Sequence, residues 1–160
     1  GAYSVEAYPQ HGITGVTFRF AAGHSECRMM FGLSYGVEDT ASYGGINFAM
    51  YTDRGNVEVY ERGHRRYDGQ NYAGLATAAT MGVRCADADC TAIEYTVDGH
   101  VVYRSSQAVA FPLRLDSSFY ENDCGVEDIA ITRGTAAIAT YPVWIAGNFD
   151  ATHDRDSTVT

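Results

Sequence analysis

The four cysteines have the spacing that most directly indicates covalent chemistry. Cys27, Cys85, Cys90 and Cys124 form an even set, which is typical of a disulfide framework. Of the three possible connectivities, the short Cys85–Cys90 separation favours a local ring, which leaves Cys27 to pair with Cys124. The longer bridge would stabilise the fold by about 4–5 kcal/mol. Two alternatives stay open: four buried thiols in a reducing compartment, and a zinc site, for which the usual second close pair is missing.

Acidic residues offer a second possible chemistry, the binding of Ca²⁺ through carboxylate oxygens. One candidate set is Asp87 and Asp89 inside the short cysteine ring, and the other is Asp116, Glu121 and Asp123. Neither set has the spacing of a known calcium loop, so we interpret both as solvated acidic turns and predict no cofactor. The five histidines are dispersed and form no catalytic motif.

Composition limits the kinds of partner that the chain can have. Its 160 residues carry a net charge of −9, and all eleven basic residues are arginines scattered along the chain. A nucleic-acid partner or an anionic membrane surface requires a basic stripe, so we expect neither. No apolar run approaches the roughly 18 residues that span a bilayer. No leader follows Gly1, so we expect any signal peptide to have been removed; a chain cut from a longer protein would look the same.

Apolar and polar residues alternate with a period of two in many short segments, which predicts β-strands. These segments cover residues 16–20, 46–51, 56–60, 93–97, 101–104, 113–116 and 129–131. Asp98-Gly99 lies between two of them and predicts a tight type I′ hairpin, because both residues tolerate positive φ. Many short strands separated by turns predict an all-β sandwich or barrel.

Several of these segments, taken in order, resemble the concanavalin-A-like lectin/glucanase superfamily, and in particular its non-enzymatic extracellular modules. They are FGLSYG at 31–36, GNVEVYERG at 55–63, IEYTVDG at 93–99 with VYRS at 102–105, PLRLDSSFY at 112–120 and IAI at 129–131. The resemblance covers roughly residues 14–132. It implies an antiparallel jelly-roll β-sandwich and an extracellular or cell-surface location.

The chain departs from this resemblance at both ends. Modules of this kind begin with a further strand, and only the polar and aromatic residues 1–13 precede the matched region. Residues 133–149 add an apolar segment beyond it, and residues 150–160 form a polar tail. An incomplete sheet with a spare strand predicts pairing with a second copy of the chain.

The predicted assembly strand consists of the apolar residues in this later segment. They are Ile138, Tyr141, Val143, Trp144 and Ile145. Residues 2–8 are the second candidate for the donor. The alternative is that residues 136–145 fold back and complete their own sheet, giving a monomer.

Three functions follow from the resemblance. The first is a non-catalytic structural or adhesive subunit that assembles with copies of itself. The second is a monomeric lectin that binds a glycan on a concave sheet face, where stacking residues would be Tyr35, Tyr43, Tyr51, Tyr60 and Tyr67. The third is a glucanase, whose paired carboxylates Glu121, Asp123 and Glu127 match in outline. Because Asn122, Cys124 and Gly125 suit a turn better than a strand, we expect no enzyme activity.

Overall fold

The described part of the protein consists of short strands joined by turns. The computed structural model describes residues 2–22, 27–36, 42–69 and 79–134. These residues contain eleven β-strands and no helix. The strands are β1 (Ala2–Tyr3), β2 (Ile13–Ala22), β3 (Arg28–Ser34), β4 (Phe48–Asp53), β5 (Asn56–Glu61), β6 (His64–Gly69), β7 (Met81–Cys85), β8 (Ile93–Val97), β9 (His100–Arg104), β10 (Arg114–Phe119) and β11 (Cys124–Arg133). Within these residues, therefore, no helix could cross a membrane.

The strands form two antiparallel sheets. One sheet has six strands in the order β1-β10-β3-β4-β5-β6, and the other has five in the order β11-β2-β7-β8-β9. The chain passes from one sheet to the other repeatedly, so that strands distant in sequence become neighbours. This arrangement is a jelly-roll β-sandwich, and the predicted fold is confirmed.

The core lies between the sheets and is built from one side of each alternating strand. Phe18 and Phe20 of β2 are fully buried, with ring centroids 5.4 Å apart. Phe18 also meets Phe31 of β3 in an edge-to-face contact at 4.7 Å. Burial of such large rings is the main stabilising contribution to a sandwich of this size. Because successive side chains of a strand point to opposite faces, the residues between these buried ones face outward.

The turn chemistry read from the sequence is present in the hairpin between β8 and β9. Asp98 has a φ of 50° and Gly99 a φ of 80°. Two consecutive positive values are what a type I′ turn requires. The backbone amide of Thr80 also donates to Oδ1 of Asp98 at 2.9 Å, which ties this hairpin to the segment before β7.

Both predicted disulfides are present. Cys27, just before β3, bonds Cys124 at the start of β11, and thereby joins the six-stranded sheet to the five-stranded one. Both of these cysteines are buried. Cys85 and Cys90 close the short ring after β7. Every cysteine among the described residues is therefore disulfide-bonded.

The expectation that the sandwich lacks its first strand is wrong. Ala2 and Tyr3 form β1 and pair with Ser117 and Asp116 of β10. Farther along, Tyr8 and Leu113 exchange two backbone hydrogen bonds of 2.7 and 2.8 Å. The first residues therefore complete the protein's own sheet and belong to the sandwich, rather than forming an extension over residues 1–13.

The predicted assembly strand lies outside the described residues. β11 ends at Arg133, and Gly134 is the last of the described residues. Ile138, Tyr141, Val143, Trp144 and Ile145 all follow it, as does the tail at 150–160. Self-association through residues 136–145 stays a prediction, although the missing strand that suggested it is supplied by β1.

Candidate functional site

A groove crosses the outer face of the six-stranded sheet. Antiparallel register places Met30 of β3, Tyr51 of β4 and Glu58 of β5 side by side, pointing away from the core. The groove has a volume of about 720 Å³ and extends from β10, where Ser118 lies, to β6, where Arg65 lies. It is large enough for an organic ligand.

Two tyrosines form the centre of this groove. The rings of Tyr51 and Tyr60 meet edge to face with centroids 5.0 Å apart. Both pack on a small apolar cluster on the outer face that contains Met30 and Ala49. Each ring is therefore held in place from below and remains half-exposed to the groove.

The phenol groups of this pair are held in the protonated form. Burial and then the charge of Asp53 raise the pKa of Tyr51 well above its ordinary value. Burial and then the charge of Glu58 raise the pKa of Tyr60 in the same direction. Both hydroxyls therefore keep their protons throughout the physiological pH range, and that of Tyr60 donates to Glu58.

Three of the five tyrosines predicted to stack on sugars line the groove, namely Tyr43, Tyr51 and Tyr60. The other two, Tyr35 and Tyr67, instead pack against the main core between the sheets. Tyr35 and Tyr67 therefore lie outside the groove that the other three tyrosines line, and their predicted stacking role stays a prediction. Tyr35 contacts Phe48 at a centroid distance of 6.1 Å, and its hydroxyl accepts a hydrogen bond from Arg62.

The sheet's register explains why Tyr67 turns inward. A β-bulge interrupts the pairing of β5 with β6 between Val59 and Tyr60. Tyr67 consequently lies opposite Val59, whose side chain belongs to the core. A bulge shifts the alternation by one residue, so equal spacing along the chain no longer means a shared face.

At the β6 end of the groove, one arginine bridges two carboxylates. Nη1 of Arg65 lies 3.3 Å from Oε1 of Glu58 and 3.4 Å from Oδ2 of Asp68. Glu58 is only 6% exposed, and burial raises its pKa, while Arg65 partly opposes that rise. The guanidinium group therefore compensates a carboxylate that has little access to water.

At the β10 end, a second arginine is clamped in a similar way. Nη2 of Arg28 lies 2.5 Å from Oε1 of Glu121, and its Nε donates to the same oxygen at 2.6 Å. The backbone amide of Arg28 donates to Oε2 of Glu121 at 2.6 Å. The guanidinium carbon lies 4.0 Å from the ring centroid of Tyr120, whose side chain is exposed at the groove margin.

The carboxylates considered for catalysis lie apart. Glu121 binds Arg28 at the groove, and Glu127 binds Arg19 on the five-stranded sheet at 2.9 Å. Asp123 lies in the turn before β11, with a φ of 60°. The glucanase-like spacing therefore begins in a turn, as expected for Asn122, but ends in β11, because Cys124 and Gly125 belong to that strand rather than to the expected turn. The three carboxylates do not share one strand face.

The two acidic sets considered for Ca²⁺ also do not converge. Asp87 receives a hydrogen bond of 3.0 Å from the backbone amide of Thr91 inside the cysteine ring. Asp116 is buried at β10, whereas Glu121 is bound by Arg28. Among the described residues, no group of three or more histidine, cysteine or acidic side chains is placed to hold a metal.

Sequence reasoning missed the charged residues of the groove. Arg28 and Glu121 are 93 positions apart, and only the pairing of β3 with β10 brings them together. Glu58 offered a signal, because it alternates with Val57 and Val59 and had to face outward. Its partner Arg65 depends on the bulge between β5 and β6, which no local pattern predicts.

Solved structures similar to this chain include the three described next. A sheep galectin-11 in complex with glycerol aligns with a TM-score of 0.47 and 10% identity, covering 79% of this chain and 95% of its own. A Bacillus licheniformis β-glucanase has a TM-score of 0.44 and 16% identity, covering 72% of this chain and 56% of its own. A native glycosidic hydrolase has a TM-score of 0.40 and 15% identity, covering 66% of this chain and 52% of its own.

This chain therefore spans about half the length of each of the two hydrolases. No family model matches the sequence. No curated protein matches it either.

Proposed function

We propose that this chain is a non-catalytic, extracellular carbohydrate-binding β-sandwich that holds a glycan in the groove on its six-stranded sheet. The observation that carries the proposal is the fixed edge-to-face pair of Tyr51 and Tyr60 at the centre of that groove. A tyrosine ring presents an apolar face to the C–H surface of a sugar and a polar hydroxyl at its edge. Two such rings supported from below form a stacking platform.

Polar side chains around the platform supply hydrogen bonds to sugar hydroxyls. Ser42 and Ser118 offer hydroxyl groups, and His64 an imidazole ring, at different positions along the groove. Arg28 and Arg65 are already oriented by carboxylates, so a ligand need not order them. Preorganised donors of this kind reduce the entropic cost of binding.

The shape of the groove favours an extended chain of sugars over a single unit. It reaches across five neighbouring strands, from β10 to β6, a distance of about 19 Å at the usual strand spacing. Exposed tyrosines, Tyr120 and Tyr43, stand at the margins. Each is placed to contact sugar units beyond the central pair.

The arrangement of the carboxylates supports binding without hydrolysis. A glycosidase requires one carboxylate to protonate the leaving oxygen and another to attack or to activate water. Glu58 and Asp68 share one guanidinium group, and Glu121 is held by three hydrogen bonds or ion-pair contacts from Arg28. The two disulfides support an extracellular location, since such bonds persist in oxidising compartments.

Calorimetric titration with neutral oligosaccharides tests the proposal. The panel contains linear β-1,3-glucan, β-1,4-glucan, mannan and xylan fragments, with the matching monosaccharides. We expect at least one oligosaccharide to bind, the monosaccharide to bind much more weakly, and Tyr51→Ala or Tyr60→Ala to weaken binding by at least about tenfold, or 1.4 kcal/mol.

Tyr103→Ala serves as the control, because Tyr103 is a half-buried tyrosine on β9 of the opposite sheet. Thermal unfolding of each variant separates lost binding from lost folding. If no member of the panel binds, or if Tyr103→Ala weakens binding as much as Tyr51→Ala, the groove is not the glycan site.

A further inference from the structure

The two arginines that line the groove are already neutralised by carboxylates behind them. Two guanidinium nitrogens of Arg28 contact Oε1 of Glu121, and Arg65 contacts both Glu58 and Asp68. A sulfate or carboxylate on a ligand would have to compete with these partners for the guanidinium groups. Charge-assisted hydrogen bonds between ionised groups are stronger than hydrogen bonds between neutral groups.

Competition for Arg65 would also destabilise the buried carboxylate of Glu58 beneath the groove. Glu58 is 6% exposed, and Arg65 is the cation that compensates its charge. Drawing Arg65 toward an anionic ligand would leave a poorly solvated carboxylate without its partner. Removing one member of such a pair is much more costly than exchanging an exposed one.

Further negative charge surrounds the central tyrosines. Asp53 lies at the end of β4, where its charge reaches Tyr51, Tyr60 and Glu58. Within the part of the chain that the structure describes, Oδ1 of Asp53 is buried and has no hydrogen-bond partner, and Nε of Arg54 lies 4.0 Å from it. The whole chain carries a net charge of −9, so long-range attraction does not favour anions either.

We infer that the groove selects neutral glycans and rejects sulfated or uronic-acid glycans of the same backbone, an inference that rests on the proposed function. Selection arises because Arg28 and Arg65, the cations that an acidic sugar would need, are already paired with carboxylates. These carboxylates are Glu58, Asp68 and Glu121. Like charge facing like charge is a usual means by which binding sites exclude wrong partners.

Paired ligands that differ only in charge test this inference. Each backbone of the panel that binds is compared with its chemically sulfated form, for example laminarin with sulfated laminarin, by calorimetry at about pH 8, where histidine side chains in general are uncharged. We expect the sulfated form of whichever backbone binds to be at least about tenfold weaker. Salt should narrow this difference, because screening weakens repulsion.

Variants that free each arginine test the mechanism. Glu121→Gln releases Arg28, and the double change Glu58→Gln with Asp68→Asn releases Arg65. In both we expect the affinity ratio of neutral to sulfated ligand to fall by at least about fivefold, within the range of a single charge pair. Glu127→Gln is the matched control, since it removes a carboxylate paired with Arg19 on the other sheet and should leave the ratio unchanged.

Each outcome separates the inference from the function on which it rests. Equal or tighter binding of the sulfated ligand, abolished by Tyr51→Ala, would overturn the inference while the groove remains the glycan site. Unchanged ratios in both charge variants would overturn it as well. Absence of binding by every neutral and sulfated ligand would remove the proposed function together with the inference.

Discussion

The hydroxyl of Tyr95 donates a hydrogen bond of 3.0 Å to Oε1 of Glu61, and both side chains are completely buried. Tyr95 belongs to β8 of the five-stranded sheet and Glu61 ends β5 of the six-stranded sheet, so the bond links the two layers. Nε2 of Gln107 donates to Oε2 of Glu61 at 2.9 Å, and Nε of Arg66 lies 3.4 Å from that oxygen. A buried carboxylate is tolerated here because each oxygen has a donor.

Replacing Tyr95 by phenylalanine should destabilise the protein with little change in shape. The substitution removes one hydroxyl and leaves Oε1 of Glu61 buried without that donor, which costs about 1–3 kcal/mol. Urea denaturation measures the difference in the free energy of unfolding. Tyr43→Phe removes a hydroxyl from an exposed tyrosine and should change stability by less than about 0.5 kcal/mol. Equal effects of the two changes would contradict the role given to the bond.

The two disulfides should contribute unequally to stability. Cys27 and Cys124 are separated by 97 positions, so their bond restricts the unfolded chain strongly and contributes about 4–5 kcal/mol. Cys85 and Cys90 are separated by five positions and contribute about 2 kcal/mol. Chemical denaturation of the two double serine variants measures this order. A larger loss in the Cys85/Cys90 variant would show that strain or local contacts, rather than loop closure, set the difference.

Gly32 should not tolerate a side chain. It lies in the middle of β3, and a Cβ atom there would approach the carbonyl oxygen of Phe48 to 1.9 Å. Gly32→Ala should therefore destabilise the sheet beneath the groove by about 1–3 kcal/mol. Gly125→Ala is the matched control on β11, because a Cβ atom at that position would meet nothing within 4 Å. Thermal unfolding of both variants gives the comparison, and similar melting temperatures would disprove the close approach.

Asp116 should make the protein more stable in mild acid. Burial raises the pKa of this carboxyl to about 6 from an ordinary 3.8, while hydrogen bonds from Ser34 and the Ser117 amide partly oppose the rise. The folded protein therefore binds this proton more tightly than the unfolded chain does. The resulting contribution, about 3 kcal/mol, is fully present below pH 4 and is lost as the pH rises through 6.

Asp116→Asn mimics the protonated state and isolates this contribution. Near pH 4 the variant and the parent should unfold at similar denaturant concentrations. Toward pH 8 the variant should become the more stable by about 2–3 kcal/mol, because the parent must then hold a buried charge. A stability difference that stays constant across this range would mean that Asp116 titrates normally.

Alternation along the chain was sufficient to predict the sandwich and several of its strands. Val16, Phe18 and Phe20 are buried on one side of β2, as their spacing of two residues indicated. The first strand was missed because Ala2–Tyr3 is only two residues long, and its stability derives from pairing with β10 rather than from local preference. Short strands of this kind leave no periodic signal.

The candidate site was less predictable than the fold. Spacing placed Tyr51 and Tyr60 on adjacent strands, and the register of β4 with β5 brought their rings together. The bulge before Tyr60 moved Tyr67 to the other face. The arginine clamps require contacts between β3 and the turn after β10 or between β5 and β6, which sequence alone does not fix.

The pairing of β1 with β10 determines the order in which this protein can fold during synthesis. Ser117 stands 115 positions after Ala2, so the first strand has no partner until β10 has left the ribosome. Folds dominated by such non-local pairing typically fold in milliseconds to seconds. The Cys85–Cys90 ring can close well before that point, whereas Cys27 must wait for Cys124. Until then the nascent chain carries an unpaired strand edge and the free thiol of Cys27. Chaperones and disulfide isomerases act on features of this kind, so we expect them to act on the chain mainly during this period.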